Sequence, residues 1–94
     1  MSLTIQLVQW AEVNKERLDD FDQVTLQVSD IKREKPSARL MVTLEDRFGD
    51  ALVWDSGEVE LSYGTARDPH DEHHELDDPG KLDGLLLGLL AKVG

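Results

Sequence analysis

Cysteine is absent from this chain of 94 residues. A disulfide framework and a cysteine-based metal site are therefore both excluded, and the absence suits a reducing compartment. Long apolar runs are missing as well. None reaches the roughly 18 residues that a membrane-spanning helix needs. The segment from Met1 to Val13 has neither the basic n-region nor the apolar h-region of a secretory signal, so the expected compartment is the cytoplasm. Positive charge is scarce: 10 lysines and arginines stand against 20 aspartates and glutamates, a net charge of -10. Phosphate backbones are bound by clustered basic side chains, so nucleic acid is not an expected partner, and an anionic membrane surface is disfavoured for the same reason. An acidic surface keeps a small domain soluble, and it also steers toward a basic protein partner. No glycine-rich phosphate loop and no nucleophile elbow occurs, and no pair of acids is spaced as an acid and its base. The chain therefore reads as a binding protein rather than an enzyme, with no catalytic residue and no cofactor.

What is present organises one domain over residues 1–94. Residues 4–20 read as a helix capped by Thr4, with Leu7, Trp10, Ala11, Leu18 and Phe21 at helical spacing. Residues 23–29 alternate, with Val24, Leu26 and Val28 on one side, as in a half-buried strand. Residues 30–37 form a loop whose Lys32, Arg33 and Lys35, with Arg39, make the one basic cluster; a solvated hairpin loop accounts for it better than an anion site. Residues 38–46 alternate again, with Leu40, Val42 and Leu44 inward. Arg47-Phe48-Gly49 reads as a three-residue hairpin loop, followed by a strand over 50–55 and a two-residue turn at Ser56-Gly57. That turn sets Trp54 opposite Val59 and Leu52 opposite Leu61, so apolar residues meet on one face. After a turn at Arg67-Asp68-Pro69-His70, the sequence leaves open whether residues 71–76 return as a short fifth strand; in that pairing Tyr63 stands opposite His74 and Leu61 opposite Leu76. Asp78 caps a last helix that opens on Pro79 and carries Leu82, Leu85, Leu86, Leu89, Leu90 and Val93 in one stripe. Gly84 and Gly88, on one side of that helix, are expected where its backbone nears the sheet. The fold class is α+β: an antiparallel meander of four or five strands with both terminal helices on one face. Trp54, Val59, Leu61, Leu85, Leu86 and Leu89 are expected in its core.

The opposite sheet face then lacks a covering element. It is expected to present Met41, Ala51 and Val53 as a small apolar centre, rimmed by Thr25, Gln27, Arg39, Thr43, Glu45, Glu58, Glu60 and Ser62, with His73 and Glu75 joining from the fifth strand. An apolar centre with a polar rim is the usual anatomy of an interface. The candidate partner-binding residues are Met41, Thr43, Val53, Glu58, Glu60, Ser62, His73 and Glu75. His70, His73 and His74 lie among Asp68, Asp71, Glu72 and Glu75, donor types that zinc accepts. On a strand, however, His73 and His74 point to opposite faces, so no metal site is expected; His74 is expected to pack toward the core near Tyr63.

The segments Trp54-Asp55-Ser56-Gly57-Glu58, Val59-Glu60-Leu61 and Glu72-His73-His74-Glu75-Leu76, followed by the leucine-rich terminal helix, resemble the TriTu family of immunity proteins. The likeness covers about the second half of the chain. It implies an inhibitor that neutralises a toxin delivered between competing bacteria. In the type system that toxin is an ADP-ribosyltransferase acting on elongation factor Tu, so the resemblance implies a toxin domain of that class as partner. The alternative is an acidic adaptor or chaperone-like binding module for a basic protein partner. The oligomeric state stays open.

Overall fold

The computed structural model describes residues 2–29 and 36–94. Their order is α1 (Leu3–Val13), α2 (Lys15–Leu18), β1 (Gln23–Val28), β2 (Ser37–Leu44), β3 (Arg47–Trp54), β4 (Glu58–Thr65), β5 (Pro69–Glu75) and α3 (Lys81–Val93). The strands form one five-stranded antiparallel sheet in sequence order. The two-layer α+β meander expected from the short connections is present, and the fifth strand is formed. Lys32, Arg33 and Lys35 lie outside the described residues.

Helix α1 packs over β2 and β3, and α3 over β2, β3 and β4. Leu3, Leu7 and Trp10 of α1 meet Leu82, Leu86, Leu89 and Val93 of α3 above Leu40, Val42, Ala51, Val53, Val59 and Leu61 of the sheet. Each fully buried aliphatic side chain contributes about 1.5–3 kcal/mol, so this one layer carries the stability of the domain. The indole Nε1 of Trp10 donates to Asp83 Oδ1 at 2.8 Å and Gln6 Nε2 donates to the Pro79 carbonyl, which ties the two helices together. The cap of α1 is not Thr4. Ser2 Oγ accepts from the Ile5 N–H, and Asp55, from the β3–β4 connection, accepts the Thr4 N–H at 2.9 Å. Burial pushes the Asp55 carboxyl up, but the bonds it accepts from Thr4 and Ser2 outweigh that and hold it below the usual range. The helix expected over 4–20 breaks at Asn14, whose side-chain amide bonds back to the Trp10 carbonyl at 2.9 Å, a local alternative to continuing the helix.

Two turns differ from the sequence expectation, and their effects cancel on β4 but not on β3. The β2–β3 turn is Glu45-Asp46, closed by the pair Leu44 and Arg47, rather than Arg47-Phe48-Gly49. Glu45 takes a φ of 57°, and its N–H is held by Asp22 Oδ2 at 2.8 Å. The β3–β4 turn is the three residues Asp55-Ser56-Gly57, with Gly57 at a φ of 107° and its carbonyl accepting the Leu76 N–H at 2.8 Å. The observed pairs are therefore Val53 with Val59 and Ala51 with Leu61. A one-residue slip flips a strand. Ala51 and Val53 are fully buried, while Leu52 and Trp54 are half-buried on the opposite face, so Trp54 is not a core residue. Packing explains why this register wins. The small residues Gly49, Ala51 and Val53 let α3 lie close: a Cβ on Gly49 would stand 2.6 Å from Val93 Cγ2. Phe48, Leu52 and Trp54 in their place would force the helix away. Gly49 is thus the point of close approach, and Gly84 and Gly88 face open space.

Three smaller differences complete the frame. Val24, Leu26 and Val28 point to the helix face as expected but extend beyond the helices, and are 40%, 38% and 50% exposed. Strand β5 pairs Tyr63 with His70 and Leu61 with Glu72, four residues from the expected register, which keeps every side chain on its expected face. Asp78 Oδ1 accepts from the Gly80 N–H at 2.9 Å, so it caps the turn that leads into α3, and the helix itself starts at Lys81.

Candidate functional site: the uncovered sheet face

The face away from the helices is ordered by the strand register. One row runs Gln27, Arg39, Leu52, Glu60, His73; the next runs Thr25, Met41, Asp50, Ser62, Asp71. Phe48 beside Thr43 and Trp54 beside Ser37 flank these rows. Among the described residues no helix covers this face. It divides into two halves. On β2 and β3, Met41, Phe48, Leu52 and Trp54 form a half-buried apolar group. On β4 and β5, Glu58, Glu60, Asp71 and Glu75 make an acidic flank on two adjacent strands, about 4.8 Å apart.

Arg39 lies within the apolar half, on β2 beside Leu52. Its guanidinium bonds both oxygens of Asp50, Nε to Oδ1 at 2.9 Å and Nε to Oδ2 at 3.0 Å, with a further contact from the terminal nitrogen to Oδ2. The carboxylate raises the arginine pKa through hydrogen bonding and charge. A bidentate arginine is fixed in plane, so it extends the flat surface instead of reaching into solvent. The acidic flank is also organised. Ser62 Oγ donates to Asp71 Oδ1 at 2.6 Å, and His73 lies 3.8 Å from both Glu60 and Glu75. Methionine, large aromatics and arginine at a centre with acids at the edge is the composition of a protein interface.

Of the residues singled out from sequence, Met41, Thr43, Glu58, Glu60, Ser62, His73 and Glu75 share this face. Val53 does not: it is 0% exposed beneath the helices and is withdrawn from the site, as is Ala51 from the apolar centre. Phe48, Leu52 and Trp54 take their place. The available signal was the spacing-two run Gly49, Ala51, Val53, three small residues suited to a close helix, against three large ones. Glu45 lies in the turn, exposed.

A second polar group, on the helix side, is structural. The Glu72 carboxylate accepts from Tyr63 Oη at 2.6 Å and Lys92 Nζ at 2.9 Å, and lies 3.0 Å from His74 Nε2. These bonds, that from Tyr63 foremost, hold its pKa down to about 2. Lys92 stands 4.2 Å above the Tyr63 ring, and His70, not His74, stacks on that ring at 5.5 Å. The group joins β5 to the last turn of α3. His73 and His74 face opposite sides of the sheet, and no cluster of three metal-ligating side chains occurs among the described residues. No helix among the described residues is long and apolar enough to cross a membrane.

The family model described as Immunity protein TriTu matches residues 6–92, nearly the whole chain. No curated protein and no solved structure matches it.

Proposed function

Because this chain belongs to the TriTu family of immunity proteins, we propose that it binds and occludes a cognate toxin domain through the uncovered sheet face, and that the toxin is an ADP-ribosyltransferase. The observation that carries the binding surface is the juxtaposition on one open face of Met41, Phe48, Leu52 and Trp54 with the acids of β4 and β5. Inhibiting an enzyme needs no chemistry from the inhibitor. It needs a desolvated centre for affinity and a complementary field for fast encounter. An ADP-ribosyltransferase binds an anionic dinucleotide, and a cleft built for that ligand is basic. The flank of Glu58, Glu60, Asp71 and Glu75 complements such a cleft, and the net charge of -10 extends the attraction beyond contact. The expected kinetic signature follows: Glu60→Lys slows association and flattens its salt dependence, while dissociation changes little.

Co-expression with the toxin domain encoded beside this chain's reading frame tests the proposal. Wild-type protein is expected to restore growth and to co-purify with the toxin, and the purified complex is expected to block ADP-ribosyl transfer. Failure of both rescue and co-purification would overturn it in favour of an acidic adaptor for a different basic partner. Rescue from a toxin with no transferase activity would keep the inhibitor and refute the toxin class.

A further inference from the structure

The two edges of the sheet are chemically unlike. Strand β5 opens on Pro69 and carries Asp71, Glu72, His73 and Glu75, the proline and charges by which natural sheets discourage a further strand. Strand β1, Gln23–Val28, has neither charge nor proline, and all its residues are exposed. The Ser29 N–H donates to the Ser37 carbonyl at 2.9 Å, in line with the β1–β2 register. With a period of two, the main-chain groups of Thr25 and Gln27 then point to β2, and those of Val24, Leu26 and Val28 point outward. The same three residues place their 40%, 38% and 50% exposed side chains on the helix face. Among the described residues, outward main-chain groups and exposed apolar side chains thus coincide. At the start of the strand lie the exposed acids Asp19, Asp20 and Asp22, beside Glu45 and Asp46 of the neighbouring turn.

We propose that β1 is a docking edge that takes an extended segment of the partner protein as an added strand. The segment has apolar side chains alternating beside Val24, Leu26 and Val28, and lysine or arginine where it reaches Asp20 and Asp22. Main-chain hydrogen bonds supply affinity, and the side-chain alternation with the acidic end supplies register and direction. A second copy of this chain is disfavoured as the occupant, because it brings a further charge of -10 to an acidic edge. Identification of the partner as the toxin rests on the proposed function; the edge itself rests on the geometry of β1.

The test is amide hydrogen exchange on the full chain, free and in complex with the toxin domain from the adjacent reading frame. Complex formation is expected to slow exchange at Val24, Leu26 and Val28, and to leave Thr25 and Gln27, already paired with β2, unchanged. Leu26→Pro removes an outward N–H and keeps the β1–β2 ladder, since edge strands accept proline on that side. It is expected to weaken the complex about tenfold, the worth of a lost hydrogen bond and a misfitted strand. Should Leu26→Pro fail to fold, Leu26→Lys, a charge on the same edge, is expected to weaken binding likewise. A complex in which those three amides exchange as in the free protein overturns the docking edge while leaving toxin binding intact. Protection already present in free protein of doubled mass gives the edge to a second copy and overturns it too. Absence of any complex removes the toxin-binding reading and this proposal together.

Discussion

Leu52 and Val53 are neighbours in sequence and opposites in structure, and introducing aspartate at each separates binding from folding. Val53 is 0% exposed, in the core between the helices and the sheet. Val53→Asp forfeits the burial of a valine, about 1.5 kcal/mol or more. It also strands a carboxylate without a partner, which costs several kcal/mol. The total, about 5 kcal/mol or more, is comparable to the whole stability of a small domain, roughly 5–15 kcal/mol. Leu52 is half-buried on the open face, beside Arg39 and Glu60. Leu52→Asp loses part of one side chain's burial, about 1 kcal/mol, and its charge stays in water. Circular dichroism during urea titration is expected to show a native-like cooperative transition for Leu52→Asp and none for Val53→Asp. A biosensor with immobilised toxin domain is expected to show faster dissociation of Leu52→Asp. A folded Val53→Asp together with an unfolded Leu52→Asp would refute the register, and with it the assignment of the face. A folded Leu52→Asp that binds as tightly as wild type would spare the register and remove the apolar half from the interface.

Gly49→Ala is expected to destabilise by about 1–3 kcal/mol, the cost of overpacking, because the new methyl meets Val93 Cγ2 at 2.6 Å. In the Val93→Ala background the same change is expected to cost much less, which a double-mutant cycle by denaturant titration will read directly. The Glu72 carboxylate has a folded pKa of about 2 against an ordinary 4.5. Its contribution is therefore fully present above about pH 4.5 and is lost as pH falls toward 2. Glu72→Gln is expected to lower stability by about 1 kcal/mol at neutral pH and to match wild type near pH 2, since the protonated wild type has lost the same bonds. A stability difference that persists at the acid end would contradict the sign.

The meander, both helices and the α+β class were legible because hydrophobic period and short connections are local properties. The faces of β2 and β4 were legible for the same reason: Leu40, Val42, Val59 and Leu61 alternate cleanly. Strand β3 was not, because both of its faces are apolar. Phe48, Leu52 and Trp54 compete with Gly49, Ala51 and Val53, and period alone does not choose between two apolar sets. The turns decide, and they carried misleading chemistry. Gly49 reads as a loop glycine but serves as a socket for α3, while the true turn uses Glu45 at a positive φ, a conformation its side chain disfavours and Asp22 supports. The acidic residues of β4 lie on the expected face because β4 kept its parity, and the apolar residues of β3 lie on the opposite face from the one expected because β3 did not. The exposure of β1 was invisible for a different reason: alternation states which way side chains point, not how far a helix reaches.

The bonds from Gln6 to Pro79 and from Trp10 to Asp83 join the first helix to the last across 73 residues of sequence. During synthesis the sheet can assemble strand by strand as each hairpin leaves the ribosome, since every strand pairs with its predecessor. Helix α1 emerges first and finds its clasp last. Until α3 is made, Leu7 and Trp10 have only one wall of their pocket, so the apolar stripe of α1 stays unsealed while all five strands are synthesised. The final seal is then a late, long-range event whose closure entropy is already spent by the sheet that holds the two ends together. The domain reaches its full stability only as α3 docks and closes the core over the sheet.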